Sequence, residues 1–121
     1  MDVALVKISQ AERKLLKDNP WTRDIIRALW EVDTYMRFDA LARRLRELRE
    51  ASGLQMPIKF DETVQSILYH HTSQSVEWKK SGAKPADDLF YSPKGKRSGT
   101  WALRSRERAV EWLKARNLNK D

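Results

Sequence analysis

The chain has 121 residues, enough for one domain with its own core and short for two. Apolar residues make up 40%, which excludes a disordered chain, and the absence of cysteine excludes disulfides, thiolate metal sites and cysteine nucleophiles. The formal charge of +7 points to a polyanionic partner, while the longest apolar run near the start, Val3-Ala4-Leu5-Val6, is far too short to cross a membrane.

Asp2 and Lys7 interrupt any apolar leader, so no signal peptide is expected and the protein is read as cytoplasmic. Val3 to Ile8 reads equally well as a strand or a helix start. Ser9-Gln10-Ala11-Glu12 has the form of a capping box, which predicts a short helix from about Gln10 to Lys17, ended by Asn19-Pro20. The next helix is expected over about Thr22 to Val32. Ile25, Leu29 and Val32 form one face, and Ile26 and Trp30 widen it beyond a single stripe, so cover from two sides is expected, with the N-terminal segment as the second cover.

Asp33 to Arg37 reads as a link with some strand character. Phe38, Leu41, Ala42, Leu45 and Leu48 then follow the i, i+3, i+4 spacing of a helix over about Asp39 to Ala51, with Gly53 placed for a left-handed cap. Arg43, Arg44, Arg46, Glu47, Arg49 and Glu50 are assigned to its solvated face. After Met56-Pro57, Asp61 is expected to cap a third helix over Glu62 to His71, with Val64, Ile67, Leu68 and His71 inward. Beyond Thr72-Ser73 the period turns extended. Ser75 to Trp78, Leu89 to Tyr91 and Thr100 to Leu103 are strand candidates, and Lys80 to Asp87 is a loop. Leu89–Leu103 is expected to form an antiparallel hairpin across Ser92 to Gly99. Ser105 caps a last helix, about Arg106 to Arg116, with Ala109, Val110 and Leu113 inward.

Helix, extended link, helix, helix, strands, basic turn and strand is the plan of an α+β winged helix-turn-helix domain. In that plan the third helix can enter a major groove and the hairpin loop, the wing, lies on the adjacent backbone. The charge agrees with it. Residues 76–104 hold seven cations (Lys79, Lys80, Lys84, Lys94, Lys96, Arg97 and Arg104) against three anions, which is more than half of the net surplus.

The run Phe60-Asp61-Glu62-Thr63-Val64, His70-His71-Thr72-Ser73-Gln74-Ser75, Asp88-Leu89-Phe90-Tyr91 and Gly99-Thr100-Trp101-Ala102-Leu103 resembles the small winged-helix modules found beside bacterial restriction and HNH-type endonucleases. The resemblance covers roughly residues 21–104. It implies DNA recognition linked to restriction or mobile elements, with catalysis carried by a separate domain. The chain departs from that pattern in showing no nuclease domain of its own and in having no Lys or Arg on the third helix. Arginine makes the commonest specific base contact, so base readout there would fall to other residue types.

Other chemistries fare worse. Gly95-Lys96-Arg97-Ser98 is not a P-loop, because the required first glycine falls at Phe90 and the element order is wrong. His70 and His71 are the only histidines, and helix neighbours point about 100° apart, so no metal site is expected. His71 reads as a packed, hydrogen-bonded core residue and His70 as exposed or DNA-facing. Asp61 with Glu77-Trp78-Lys79 has the Asp…Glu-x-Lys form of magnesium-dependent nucleases, and on a strand Glu77 and Lys79 would share a face. Such matches arise easily in a chain that is 34% charged, and no enzymatic activity is expected. Of the five tryptophans, Trp30 and Trp101 read as core. Trp78 and Trp112 read as the exposed aromatics, with Trp112 a candidate homodimer contact.

The expectation is therefore a non-enzymatic module with an N-terminal extension (1–20), a winged-helix domain (21–104) and a packed C-terminal helix (105–121). Double-stranded DNA is the expected partner, with no cofactor, metal or membrane. Lys59, Lys94, Lys96, Arg97 and Arg104 are assigned to phosphate, and Gln65, Ser66, Tyr69 and His70 to the groove. The competing expectation is a protein–protein module that uses the uncharged third helix and exposed tryptophans.

Overall fold

The computed structural model describes residues 10–53, 56–95 and 97–118, with the backbone alone over 10–19. Ser9 of the capping box, the segment Val3 to Ile8 and the wing residue Lys96 lie outside the described residues.

The first helix, α1, runs from Gln10 to Trp30 and passes through Pro20 without ending there. This corrects the expected break at Asn19-Pro20. Proline removes one ladder hydrogen bond and crowds the preceding turn. The turns after it bury Trp21, Ile25, Ile26, Ala28 and Leu29, and that packing holds the helix where local preference opposes it. α1 lies at the centre of the molecule and packs against every layer around it: α2 (Phe38–Ala51), α3 (Phe60–His70), the sheet and the last helix, α5 (Arg106–Ala115). The expected cover from two sides is real, and among the described residues these elements supply it, while Met1 to Ser9 of the N-terminal segment lie outside the described residues. Trp30 falls off the covered arc at the helix end, 38% exposed, with the Arg106 guanidinium 4.8 Å above its ring. It is not the core residue the periodicity suggested.

α2 packs Leu41, Ala42 and Leu45 inward as its spacing requires. Arg49, assigned to the solvated face, is instead buried, with its guanidinium 3.8 Å above the Trp21 ring. Burial lowers its pKa, and the nearby carboxylate of Asp24 opposes that shift. Arg49 follows Leu45 by four residues, so it shares the flank of the apolar stripe and can stack rather than reach water. α3 starts one residue before the expected cap: Lys59 is the N-cap and no side chain caps the end. Phe60 is buried edge-on to Trp21 at 5.4 Å.

The segment Ser75 to Trp78 is not a strand. It opens a short helix, α4 (Val76–Ser81), because the Ser75 hydroxyl accepts the Trp78 amide at 3.0 Å and Gly82 closes the helix at φ 69°. Capping at both ends outweighs the strand preference of Val76 and Trp78. A single 3₁₀ turn, Pro85–Asp87, follows.

Three short strands, β1 (Met36–Arg37), β2 (Phe90–Tyr91) and β3 (Thr100–Leu103), form an antiparallel sheet in the order β1-β3-β2. The expected hairpin is present, with Phe90 opposite Leu103 and Tyr91 opposite Ala102. β1 pairs on the other edge, Met36 to Trp101 and Arg37 to Thr100, and so ties the link after α1 to the hairpin. The architecture is α+β, five helices and one small sheet among the described residues.

α5 is capped by Ser105, whose hydroxyl accepts the Arg108 amide at 3.2 Å. Trp112, expected to be exposed, is 2% exposed and belongs to the same core as α1. Its indole N–H donates to Asp87 at 3.2 Å, and Arg116 stacks on it at 4.1 Å. The ring is therefore not free to form a dimer contact. Trp78 is half-buried, and its indole N–H has no hydrogen-bond partner among the described residues.

Candidate nucleic-acid interface

The end of α3 is joined to β2 through His71. Its carbonyl accepts the amides of Leu89 (2.9 Å) and Phe90 (3.0 Å). Its Nδ1 is 3.0 Å from the Asp87 carbonyl oxygen, and its ring meets Phe90 and Trp112 edge-on. Burial pushes the His71 pKa below the usual histidine value, with the Asp87 contact opposing. The packed, hydrogen-bonded role expected of His71 is the one observed.

A second tie comes from Gln74, which the sequence reading did not single out. Its side-chain oxygen accepts the Ser92 amide at 2.7 Å, and its Nε2 donates to the Ser92 carbonyl at 3.4 Å. Both backbone polar groups of Ser92, the first residue of the hairpin loop, are thus held by the turn that follows α3. On the other strand the Tyr69 ring packs edge-on to Trp101 at 5.7 Å. The only hint in the sequence was the Ser/Thr-rich exit of α3, where a two-headed amide suits a turn.

These ties bring the far end of α3 and the base of the loop to one face. Tyr69, Gln74, Ser75, Glu77, Arg97 and Trp101 line a cavity of about 160 Å³ between them. Tyr69 and Arg97, one from each expected set, therefore border the same cavity. The backbone at Arg97 has φ 66°, the left-handed region that disfavours a side chain. Arg97 is exposed and makes no ion pair among the described residues. Lys94 is exposed as well, with its ammonium 4.8 Å above the Tyr35 ring.

The remaining assigned residues are placed differently. Arg104 is occupied: Nε donates to Asp88 at 2.9 Å, Nη2 donates to Ser73 at 3.1 Å, and the group lies 5.2 Å from the Tyr91 ring. Lys59 precedes α3, about 15 Å of helix from Tyr69 at 1.5 Å per residue, and is 4.0 Å from Glu62. Gln65 and His70 are exposed and Ser66 is half-buried. The His70 ring folds back on its own helix, with Nδ1 2.7 Å from the Ser66 carbonyl oxygen.

The cations of α2 are largely taken up. Arg44 forms a double hydrogen bond with Glu31, both at 2.8 Å, and reaches Glu47 at 3.2 Å. Those carboxylates raise its pKa, and the Arg44 guanidinium in turn lowers that of Glu31. Arg46 reaches Asp61 at 3.5 Å and lies over Phe60 at 4.3 Å.

On α4, Glu77 and Lys79 point about 200° apart, so the shared strand face that the nuclease pattern needs is not formed. Among the described residues no group of three or more His, Asp or Glu side chains could hold a metal, and no helix is long and apolar enough to cross a membrane. Comparison with family models, curated proteins and solved structures finds no match, so the functional reading rests on this chain's own residues and geometry.

Proposed function

We propose that the chain is a non-enzymatic winged-helix module that binds double-stranded DNA, with α3 at the groove and the loop 92–99 as the wing on the phosphate backbone. The observation that carries the reading is the single face formed by the end of α3 and the loop base, where Tyr69 lines one cavity with Arg97, which makes no ion pair among the described residues. The strand order β1-β3-β2, with β1 placed between the first two helices of the core, supports the same reading. Lys94, Lys96 and Arg97 supply phosphate contacts, and Gln65, Ser66, Tyr69 and His70 face the groove. The link to restriction or mobile-element systems, with catalysis on another domain, rests on the sequence resemblance.

Each wing cation displaces roughly one condensed counterion from duplex DNA. Replacing Lys94, Lys96 and Arg97 together by alanine should weaken binding to every duplex about equally and lower the salt slope by about two to three. Replacing Gln65 should flatten discrimination between duplexes and leave the slope nearly unchanged. Fluorescence anisotropy across a salt series reads both. A triple variant with the parent's affinity and slope removes the wing from the interface. A parent that binds no duplex at low salt favours the protein-contact reading, whose tryptophan support is already reduced by the burial of Trp112.

A further inference from the structure

The cavity between α3, α4 and the hairpin has features a phosphate contact does not need. Its volume of about 160 Å³ is close to the ~150 Å³ that suffices for one benzene ring in a protein interior. Two of its walls are aromatic, the half-buried Tyr69 and the buried Trp101, held edge-on to each other. Two of its interior polar side chains are already spent. Gln74 is taken up by Ser92, and the Ser75 hydroxyl by the Trp78 amide and the carbonyls of Thr72 and Tyr69. The charged groups at the cavity are the exposed side chains of Glu77 and Arg97, neither with an ion pair among the described residues.

We propose, resting on the DNA-binding reading above, that this cavity receives a single nucleobase turned out of the duplex, and that the base is cytosine. A slot for one six-membered ring suits a pyrimidine better than a purine. Tyr69 and Trp101 provide the apolar, aromatic surroundings an unstacked base requires. The Glu77 carboxylate is an acceptor only, and it matches the exocyclic amino donor of cytosine, which thymine lacks. Arg97 stands at the mouth, where the phosphate of the everted nucleotide would lie. Its left-handed backbone is a local cost of the kind that persists where function holds it.

The test uses the whole chain and four duplexes of one sequence: perfectly paired, with one bulged cytosine, with one bulged thymine, and with one bulged abasic nucleotide. Turning out an unpaired base costs less than breaking a pair. The bulged-cytosine duplex should therefore bind about tenfold tighter than the perfect one, and tighter than the thymine and abasic bulges. Glu77→Gln should erase the preference for cytosine over thymine without weakening perfect-duplex binding. Equal binding of all four duplexes, with salt dependence intact, overturns the base-receiving cavity and leaves the DNA interface standing. Equal preference for the abasic and cytosine bulges also overturns it, because DNA bending is then the feature read. Retention of the cytosine preference by Glu77→Gln overturns the assignment of the reader. Absence of binding to every duplex defeats the underlying reading as well.

Discussion

Replacing Asp88 by alanine should destabilise the fold by about 2 kcal/mol without touching the DNA interface. The carboxylate joins three parts of the chain. Oδ1 accepts the Ser73 amide at 2.8 Å and Arg104 Nε at 2.9 Å, and Oδ2 lies 3.9 Å from Arg108 on α5. Its side chain is 13% exposed, and that of Arg104 is 28% exposed. A hydrogen bond to a charged group is worth ~1.5–3 kcal/mol, so two sum to ~3–6 kcal/mol. Partial exposure reduces the sum, since Arg104 and the Ser73 amide regain water once released, and ~2 kcal/mol remains. For a domain of this size Tm should fall by about 6–10 °C. Arg104→Ala should cost less, about 1 kcal/mol, because Asp88 keeps the Ser73 amide. The double variant should show a coupling of about 1 kcal/mol in denaturant titrations. An Asp88→Ala protein within about 0.5 kcal/mol of the parent would refute the reasoning and make the cluster an ordinary solvated ion pair. The same Arg104 variant also tests its assignment to phosphate. A drop of about 0.9 in the salt slope at parental stability would restore it to the interface.

The His71 imidazole is held neutral by burial, so its folded pKa lies below the ordinary 6.5. The unfolded chain then binds more protons as pH falls below about 6.5, and stability should be full above that value and decline as pH drops toward the folded pKa. Urea titrations between pH 7.5 and 5 read the slope, and a His71→Gln protein that keeps the parent's slope over this window would contradict the assignment. At Arg97, glycine removes a left-handed strain of about 1 kcal/mol and adds unfolded-state entropy of ~0.5–1 kcal/mol. Arg97→Gly should therefore melt within about 3 °C of the parent while losing duplex affinity. Equal affinity of Arg97→Gly and parent, in anisotropy at low salt, would count against the wing.

Sequence by itself determined the elements whose signals are local. The apolar spacing of Leu41, Ala42 and Leu45 defines α2, Ser105 starts α5, and the alternation around Phe90 and Trp101 makes the hairpin. Periodicity and capping act within a few residues, so they can be read without a fold. Tertiary structure decided whatever depends on which neighbour arrives. Pro20 stays inside α1 because the turns after it are buried against three other helices. Trp112 and Arg49 are covered while Trp30 is not, although all three lie beside apolar stripes. The candidate site divides in the same way. That basic residues cluster in 76–104 is a property of composition. That Arg104 is bound by Asp88 while Arg97 stands open beside Tyr69 is not, because a cation's availability depends on the carboxylate that long-range packing places within ~4 Å. Gln74 shows the limit most directly: its clamp on Ser92 spans 18 residues, and no local pattern encodes a contact at that separation.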